Sequence, residues 1–512
     1  MNRLIYFGPP GTGKTTALLT RLEEHLKEGV PPDRIAFLTF TRRAREEALD
    51  RVFKTLNYAA KDLPYFRTIH SMAFRALNLR DGDVIAKRHL TAFGTAMGIN
   101  FGHSGLSDLA AEGLSSSNKG DQLLALDNLS RLRGQPLKQV WKDARSEHDW
   151  TVVDHFARSY ARYKKEAGLL DYTDVLTEFA RSSIELPVDV AFIDEAQDLS
   201  ALQWLAALQA VQRAATQYVA GDDDQAIYRW AGADVQMFID LPGQRQVLDR
   251  SYRLPMAVYR ASQSVIRRVK VRVPKEFAPR EDEGLIKRHA NADGLDVKEG
   301  GWLFLVRNRY LINGLRGSLE NRGIVYQQHD MPSINPSERD AIYAWEHLRK
   351  GKHVPIAAAR DLYQYLKTRT QLKHGSKLIP KVSDPDAVVT MEQLREQHGL
   401  LVDGPWFDVL LEIPIERRMY YRALLREHKT LRIAPQVRLE TIHGAKGAEA
   451  KHVALFLEQS RRTWDEAQHM RDDEHRVFYV GATRAMESLH VIEAASQYGY
   501  QFPRKTAETT GG

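Results

Sequence analysis

The segment Arg3-Leu-Ile-Tyr-Phe7 is followed directly by Gly8-Pro-Pro-Gly-Thr-Gly-Lys14-Thr-Thr16, and a leucine-rich segment then extends to Lys27. The short apolar run predicts a buried strand, and the leucines at helical spacing predict that a helix follows the loop. Such a loop lets backbone N–H groups and the helix N-terminus converge on phosphate oxygens. The alternative is a glycine-rich turn that happens to precede a helix, but the complete G-x-x-x-x-G-K-T pattern behind a strand argues against it.

This loop therefore predicts a nucleoside triphosphatase that binds ATP or GTP. Lys14 would reach the β- and γ-phosphates, and the Thr15 hydroxyl would bind Mg²⁺. The residues expected to bind nucleotide here are Gly8, Pro9, Pro10, Gly11, Thr12, Gly13, Lys14, Thr15 and Thr16.

The composition limits the other classes of function. The 512 residues are too many for one compact core, so several domains are expected. A formal net charge of +7 weakly favours a polyanionic partner, although such a charge also promotes solubility. The chain has no cysteine, which excludes disulfides, thiolate nucleophiles and cysteine-based metal sites. Because no apolar run is long enough to span a membrane and the first residues do not resemble a signal peptide, we expect a cytoplasmic protein without a membrane partner.

Two further segments place polar and aromatic side chains directly after predicted strands. Arg34–Thr39 is a second apolar strand that runs into Phe40 and a helix, and Thr68–Ser71 has the same character. Alternating strands and helices predict a parallel sheet, whose functional loops lie at the carboxyl ends of the strands. Hydroxyls, an aromatic face and a cation at that edge suit a nucleic-acid strand; the alternatives are a helix cap with Phe40 in the core and a structural histidine. The candidates are Thr39, Phe40, Thr41, Arg42, His70 and Ser71.

An acidic pair follows another predicted strand of the sheet. Val188–Ile193 is apolar and leads directly into Asp194 and Glu195. Asp194 would hold Mg²⁺ through its water shell, and Glu195 would polarise the attacking water. Such a pair is common in proteins, but behind a phosphate-binding loop it indicates the second half of a phosphoryl-transfer site.

The acidic pair belongs to Asp194-Glu-Ala-Gln-Asp198, and a later motif reads Gly221-Asp-Asp-Asp-Gln225-Ala-Ile-Tyr228-Arg-Trp230. Together these motifs resemble those of the superfamily 1A helicases of the UvrD, PcrA and Rep type. Further motifs follow in the family's order along nearly the whole chain, which makes coincidence negligible. They are Thr39-Phe-Thr41, Thr68-Ile-His-Ser71, Leu169-Leu-Asp-Tyr-Thr-Asp174, Ser251-Tyr-Arg253, Trp302-Leu-Phe-Leu-Val-Arg-Asn308, Thr441-Ile-His-Gly-Ala-Lys-Gly-Ala-Glu449 and Glu474-His-Arg-Val-Phe-Tyr-Val-Gly-Ala-Thr-Arg484-Ala485.

The resemblance implies an α/β fold with two RecA-like parallel-sheet motor domains, ATP in the cleft between them and a single DNA strand across their tops. It implies that Gln225 senses the γ-phosphate, and that Arg253 and Arg484, from the second motor domain, act as arginine fingers. For Trp230, the alternative to a stacking role is a buried core indole. The family's remaining contacts are Glu449 on the γ-phosphate side, Tyr252 against the adenine, Tyr228 and Trp230 as stacking platforms, and Phe40, His70 and His443 along the DNA strand.

The resemblance also implies a 1A/1B/2A/2B arrangement of the domains. Between about Arg80 and Lys165 the strand–helix alternation stops, which predicts an inserted helical subdomain with a basic face or, alternatively, an ordinary solvated helix surface. The expected boundaries are 1–80 and 166–247 for domain 1A, 81–165 for the helical insertion 1B, 248–344 and 436–500 for domain 2A, 345–435 for a shortened 2B-like insertion, and 501–512 for a flexible tail.

The sequence departs from the family at several positions. The upstream segment with the adenine-reading glutamine has no counterpart before the first strand, and Thr16 stands where these helicases often have an arginine. Selectivity for ATP over other triphosphates is therefore left open.

A basic segment follows later in the chain. Arg267-Arg-Val-Lys-Val-Arg-Val-Pro-Lys275 alternates basic and apolar residues, which predicts a strand with one charged face. The alternative is contact between this segment and a DNA backbone.

The implied function is an ATP- and Mg²⁺-dependent single-stranded-DNA translocase that moves 3′ to 5′ and unwinds duplex DNA. The polarity depends on the family resemblance alone. Expected partners are single-stranded DNA, junctions with duplex, and a replication or repair protein, in a nucleoid-associated setting or on a phage or mobile element. The alternatives are a protein-stripping translocase without unwinding activity, an ATP-gated DNA-binding or loading subunit, and an RNA motor.

Overall fold

The computed structural model describes residues 2–40, 42–102, 118–329, 331–368, 370–373 and 387–504. The chain divides into two compact units. The first comprises Met1–Gly284, Glu466–Thr483 and Pro503–Gly512, and the second comprises Leu285–Asp465 and Arg484–Phe502. Within the described ranges, every helix is too short or too polar to span a lipid bilayer.

A parallel sheet forms the centre of the first unit. Its strands are β1 (Asn2–Phe7), β2 (Ile35–Thr39), β3 (Phe66–Thr68), β4 (Val190–Ile193), β5 (Thr216–Gly221) and β6 (Gln244–Val247). In the described part of this unit they lie in the order β3-β2-β4-β5-β1-β6, and every pairing is parallel. Strands β2 and β4 are buried along their whole length, as expected for a parallel sheet covered on both faces.

Helices cover both faces of this sheet. Ile5 and Phe7 on one face pack into a core that includes Trp204, whereas Tyr6 on the other face packs against Leu18 and its neighbours. The described helices between residues 2 and 284, which include those of the helical layer treated next, are α1 (Lys14–Lys27), α2 (Arg42–Leu56), α3 (Ile69–Ala76), α4 (Lys87–Met97), α5 (Lys119–Arg133), α6 (Leu137–Asp143), α7 (Trp150–Ala167), α8 (Tyr172–Arg181), α9 (Ala201–Ala210), α10 (Val235–Ile239) and α11 (Met256–Ile266).

The helical segment between the strands β3 and β4 has a core of its own. Phe93 of α4, Leu124 of α5 and Phe156 of α7 are buried together in it. Aromatic contacts reinforce this core, with Phe93 and Phe156 ring centroids 5.7 Å apart in an edge-to-face arrangement. Helices α4 to α7 therefore form a separate packing layer beside the sheet.

The second unit is built on another sheet. Its strands are β7 (Leu285–His289), β8 (Trp302–Val306), β9 (Tyr326–Gln328), β10 (Met331–Pro332), β13 (Val437–Thr441), β14 (Ala450–Phe456) and β15 (Ala485–Ile492), while β11 (Val354–Pro355) and β12 (Val388–Val389) form a separate antiparallel pair. In the described residues the order is β10-β9-β13-β8-β14-β15-β7, and only the pairing of β9 with β10 is antiparallel. The predicted α/β fold with two RecA-like parallel sheets is thus confirmed.

A second helical layer lies between β10 and β13. Trp345, Leu362, Leu394 and Tyr421 are buried in its common core. The helices of this layer are α13 (Pro336–Arg349), α14 (Ile356–Tyr363), α15 (Met391–Gln397), α16 (Trp406–Val409) and α17 (Ile415–His428). Outside it, α12 (Leu311–Asn321) lies between β8 and β9, and α18 (Arg461–Ala467) follows β14.

Residues 248–284 and 466–483 pack in the first unit, whereas the sequence analysis places them in the second motor domain. The reason is a set of hydrogen bonds between residues that are far apart in the sequence. Ser251 donates from Oγ to the Pro10 carbonyl oxygen at 2.7 Å, and the Tyr252 N–H donates to the Gly11 carbonyl at 2.8 Å. In the last long helix, α19 (Arg471–Ala482), the buried Arg476 donates from Nε to the Asp223 carbonyl at 2.8 Å. The sequence motifs alone do not show these long-range bonds.

Candidate nucleotide site and nucleic-acid surface

The glycine-rich loop follows β1 and leads into α1. Gly11 and Gly13 have φ angles of 73° and 78°, a region that residues other than glycine rarely adopt. A Cβ atom on Gly8 would lie 2.0 Å from Cγ of Lys14, so this position also excludes a side chain. Lys14 donates from Nζ to the Gly8 carbonyl oxygen at 2.9 Å, so its charge lies against the loop. The loop therefore has the backbone conformation that a phosphate-binding site needs.

The remaining residues of the loop are held by short-range bonds. Thr12 is buried and donates from Oγ1 to the Pro9 carbonyl oxygen at 2.8 Å. Pro10 accepts the bond from Ser251 that was described above. Thr16 is exposed, and its hydroxyl accepts a bond from Nη1 of Arg51 at 2.9 Å. Sequence reasoning missed Arg51, because nothing in its own helix indicates that it reaches this loop.

Thr15 and Asp194 meet at the carboxyl ends of β1 and β4. Thr15 donates from Oγ1 to Oδ2 of Asp194 at 2.8 Å. Burial, followed by the charge of Glu195, raises the pKa of Asp194 to about 7, so the charged form needs a nearby cation. One hydroxyl and one carboxylate suit Mg²⁺, which keeps several waters and takes few protein ligands. The described residues contain no cluster of three or more His, Cys, Asp or Glu side chains that could hold a metal by themselves.

Glu195 has an unusual backbone conformation for a residue with a side chain. Its φ angle is 53°, in the left-handed region that costs free energy for residues other than glycine. Its Oε2 atom accepts a bond from Nε2 of Gln197 at 2.6 Å. The strand end and this amide together fix the direction of the Glu195 carboxylate.

Gln225 is linked to Glu195 through two intermediate residues. Nε2 of Gln225 donates to Oδ2 of Asp222 at 2.7 Å. The Asp222 N–H donates to Oε1 of Gln197 at 2.8 Å, and Gln197 in turn holds Glu195. The proposed base and the proposed γ-phosphate sensor are therefore ends of one buried hydrogen-bonded chain. Sequence reasoning missed Gln197, although it lies inside the acidic motif.

Arg253 lies beside the glycine-rich loop within the first unit. Its Cβ would be 2.3 Å from a Cβ placed on Gly11, so the glycine permits this close approach. It belongs to the first of the two compact units. The adjacent Tyr252 is 68% exposed, so its ring is available to a ligand next to the loop.

Arg484 and Glu449 come together in the second unit. Arg484 is 1% exposed and donates from Nη1 to the Ala448 carbonyl at 3.3 Å. Its own carbonyl accepts a bond from the Ala450 N–H at 3.1 Å, so it flanks Glu449 on both sides. Glu449 is exposed, and its carbonyl accepts a bond from Nη2 of Arg438 at 2.7 Å.

Three of the predicted nucleic-acid contacts form a row of aromatic rings, here called the aromatic row: Phe40, Tyr228 and Trp230. The ring centroids of Phe40 and Tyr228 are 5.9 Å apart, and those of Tyr228 and Trp230 are 6.5 Å apart. All three side chains are half-buried, so Trp230 is not a fully buried core indole. Exposed ring surface in a row suits stacking on successive bases.

His70 and Ser71 lie at the start of α3, behind β3. Burial lowers the pKa of His70 to about 4, which keeps its imidazole neutral. Its ring stands edge-on to Tyr172, an exposed aromatic residue that sequence reasoning missed. Ser71 accepts a bond from Nη1 of Arg67 at 3.2 Å. Burial and the positive charges of Arg75 and Arg45 lower the pKa of Arg67, which indicates a cluster of cations.

The other predicted DNA contacts do not belong to the aromatic row or to the start of α3. Thr39 is fully buried at the end of β2, which argues against contact between its side chain and DNA. Thr41 and the side chain of Arg42 lie outside the described part of the structure. In the second unit, burial and the charges of Arg307 and Lys446 lower the pKa of His443 well below its usual value. His443 is therefore a neutral side chain in a positively charged setting.

Three features together define a P-loop nucleoside triphosphatase: a parallel α/β sheet with this loop, the buried Asp194 beside Thr15, and Glu195 next to Asp194 at the end of β4. The model of the UvrD/REP helicase N-terminal domain family matches residues 2–245, and that of the UvrD-like helicase C-terminal domain matches residues 416–496. The chain belongs to the UvrD/PcrA-type superfamily 1A helicase family, whose members use nucleotide and bind DNA.

Among curated proteins, the chain is similar to several bacterial relatives described as ATP-dependent DNA helicase PcrA. It is 29% identical to that of Bacillus subtilis (strain 168) over 300 residues, which is 55% of this chain and 40% of the relative. It is 26% identical to that of Leuconostoc citreum over 54% of this chain and 38% of the relative. It is 27% identical to that of Staphylococcus aureus (strain Mu50 / ATCC 700699) over 53% of this chain and 39% of the relative. The matched region thus spans about 40% of the relatives' length.

Proposed function

We propose that this chain is an ATP-dependent single-stranded-DNA translocase and DNA helicase that moves 3′ to 5′. The observation that carries this proposal is the position of the segment 222–230. Gln225 of this segment is bonded into the chain that ends at Glu195, and three residues later Tyr228 enters the aromatic row. One short segment thus contacts both a nucleotide site and a stacking surface, as a motor requires.

At the nucleotide site, the roles follow from position. Lys14 and the loop N–H groups bind the phosphates, and Thr15 with Asp194 would hold Mg²⁺. The metal ion, when bound, neutralises charge on the phosphates. Glu195, oriented by Gln197, accepts a proton from the attacking water. Arg253 and Arg484 would stabilise the charge that develops on the transferred phosphate, with Arg484 assigned on family resemblance.

The nucleotide base has two candidate neighbours in this chain. Tyr252 presents an exposed ring next to the loop and would stack on adenine. Arg51 reaches Thr16, the position at which relatives often have an arginine, and would supply a guanidinium near the base. We propose ATP as the preferred nucleotide, with Glu449 completing the γ-phosphate side.

On the DNA side, the aromatic row would stack on successive bases. Base–aromatic stacking contributes about 1–3 kcal/mol per base and tolerates any base, as movement along arbitrary DNA requires. The cations near Arg67 would contact the phosphate backbone, and His70 with Ser71 would lie along it. His443 is proposed as a DNA contact of the second motor domain.

The proposal extends to the surroundings of the enzyme. We propose that it acts on single-stranded DNA and at junctions with duplex, inside the cell at the nucleoid, with a replication or repair protein as partner. The helical layers 81–165 and 345–435 are proposed as 1B and 2B subdomains of two motor domains. The 3′-to-5′ polarity is taken from what is typical of the family.

The decisive experiment measures ATP turnover and strand separation by the purified chain. We expect turnover to rise on addition of single-stranded DNA, and a duplex with a 3′ tail to be unwound faster than one with a 5′ tail. Lys14→Ala serves as the inactive control. Turnover that is independent of DNA would overturn the motor proposal. DNA-stimulated turnover without strand separation would instead identify a protein-stripping translocase, and stronger stimulation by RNA would identify an RNA motor.

A further inference from the structure

Three successive carboxylates are buried in front of Gln225. Asp222, Asp223 and Asp224 are each at most 1% exposed. Buried charges of one sign are costly unless cations compensate them. The cations that do so here come from a distant part of the sequence.

Lys275 is the centre of this compensation. Its side chain is 1% exposed, and Nζ lies 3.3 Å from Oδ1 of Asp222, 2.5 Å from Oδ1 of Asp223 and 3.0 Å from Oδ2 of Asp224. Arg272 adds a bidentate pair with Asp224, at 2.7 and 2.6 Å. Although burial opposes the change, Lys275 and Arg272 lower the pKa of Asp224. All three carboxylates therefore share one fully buried ammonium group.

The segment that supplies these cations was predicted to be a strand with one charged face, and that prediction is wrong. Residues 267–275 contain no strand, and Lys275 and Arg272 turn inward. The Val273 N–H donates to Oδ2 of Asp223 at 2.8 Å, and Arg476 of α19 bonds the carbonyls of Asp223 and Val271. The alternation of basic and apolar residues thus places cations against the aspartates.

Asp222 connects this charge cluster to the nucleotide site. Its Oδ2 accepts the bond from Gln225, and its N–H donates to Gln197, which holds Glu195. A Cβ on Gly221 would lie 2.7 Å from Oε1 of Gln197, so only glycine lets the two loops approach this closely. Rotation of the Asp222 carboxylate would therefore reorient Gln225, and a shift of the Asp222 backbone would disturb the bond to Gln197 that supports Glu195.

We infer that Lys275 is a positioning residue for ATP hydrolysis, which holds Asp222 so that Gln225 and, through Gln197, Glu195 keep their orientation. This inference rests on the proposed function. Lys275 does not touch the phosphate-binding loop, so nucleotide affinity is not expected to depend on it. Loss of the Lys275 side chain is expected to lower the rate of ATP hydrolysis.

The test compares Lys275→Met with Lys270→Met, which removes an exposed lysine from the same segment. Turnover with saturating single-stranded DNA gives kcat and KM for ATP, a fluorescent ATP analogue gives nucleotide affinity, and thermal unfolding monitors the fold. We expect Lys275→Met to lower kcat about 10–100-fold, as loss of a supporting residue around a catalytic group typically does, with KM within about threefold. Lys270→Met should match the wild type.

A double variant separates positioning from simple charge balance. Lys275→Met with Asp223→Asn removes one cation and one carboxylate together, so stability should recover towards the wild type while kcat stays low, because Asp222 still lacks its contact with Lys275. Recovery of kcat along with stability would show a purely structural role and overturn the inference. So would a folded Lys275→Met variant with unchanged kcat. Absence of ATP turnover in the wild type would instead overturn the proposed function, and the inference with it.

Discussion

Replacement of Lys164 by methionine tests how the helical layer of the first unit is attached to the sheet. Lys164 in α7 bonds Asp171 at 2.6 Å and also pairs with Asp174. Arg131 in α5 bonds the same two carboxylates, at 2.7 and 2.9 Å. Asp171 is 1% exposed and caps α8, since its Oδ1 accepts a bond from the Asp174 N–H at 2.8 Å. Two cations from the helical layer thus hold the start of a helix that covers the sheet.

The expected loss of stability follows from this burial. Methionine keeps the length of the lysine side chain but leaves Asp171 with a single cation. Leaving a buried charge without any partner costs about 3–5 kcal/mol, and because Arg131 still pairs with Asp171 we expect a loss of at most about 3 kcal/mol. For a unit of this size, about 2 °C of Tm per kcal/mol gives a decrease of up to roughly 6 °C.

The loss of stability in Lys164→Met should also depend on pH, and it should be smaller at low pH. Burial alone would raise the pKa of Asp171, but Arg131 and Lys164 lower it below its ordinary value. A carboxylate whose pKa is lowered by folding stabilises the fold above its unfolded pKa of about 3.9, and this contribution is lost as the pH falls through the folded value. The Tm difference between wild type and Lys164→Met should therefore be full above about pH 5 and narrow below about pH 4.

Thermal unfolding followed by circular dichroism at several pH values measures both effects. Lys165→Met is the matched control, because the neighbouring lysine is exposed and its loss changes the net charge equally. A Tm for Lys164→Met equal to that of Lys165→Met would refute the reasoning. A Tm difference that persists unchanged at pH 3 would refute the assignment of the effect to Asp171.

The other predictions concern the proposed site. Lys14→Ala should abolish ATP turnover and leave DNA affinity largely in place, as filter binding would show, because the lysine bonds the phosphate loop alone. Arg484→Ala should retain nucleotide binding in equilibrium titrations but slow hydrolysis about 10³-fold or more, as for other arginine fingers. Trp230→Ala should weaken binding to single-stranded DNA about 5–150-fold, measured by fluorescence anisotropy, since one stacked base is lost. Arg51→Ala should raise KM for ATP several-fold with little change in kcat, because Arg51 contacts the loop only through Thr16.

Each of these predictions has a contradicting outcome. Lys27→Ala, an exposed lysine of the same helix, controls for Lys14, and retained turnover in Lys14→Ala would refute the phosphate site. Equal losses of binding and hydrolysis in Arg484→Ala would exclude a finger role. Trp230→Phe should retain most DNA affinity, so a loss as large as that of the alanine variant would argue against stacking. An unchanged KM in Arg51→Ala would place Arg51 outside the base site.

The conformation of the glycine-rich loop could be predicted because it depends on residues that are adjacent in the sequence. The strand, the glycines with positive φ, Lys14 and the start of α1 are consecutive in the chain, and each is indicated by residue type alone. Thr39 shows the limit of the same reasoning. The end of a parallel strand is often a functional edge, but burial of Thr39 depends on neighbouring strands β3 and β4 on either side of β2. Position in a strand predicts the edge, and packing across strands decides which side chains are exposed.

The prediction of a strand at residues 267–275 was wrong for a different reason. Alternating basic and apolar residues satisfy the period of an exposed strand, and nothing local reveals that their charges are needed elsewhere. Its true partner is a run of three aspartates about fifty positions earlier, joined to it at Lys275 and Arg272. An unusual run of like charges inside an otherwise apolar region was the available signal. Asp222, Asp223 and Asp224 directly follow strand β5 and, once buried, require compensating cations.

The loop that carries Gln225 is also hydrogen-bonded to a helix that is distant in the sequence. Arg476 donates to the backbone carbonyls of Asp223 and Val271, so it binds the aspartate loop and the cation-bearing segment at once. It lies in α19, which ends at Ala482, two residues before Arg484. Arg476 therefore fixes the position of α19 against the loop that carries Gln225, within the first unit. Because these bonds join segments more than 200 residues apart, residue type and spacing near Gln225 alone could not predict them.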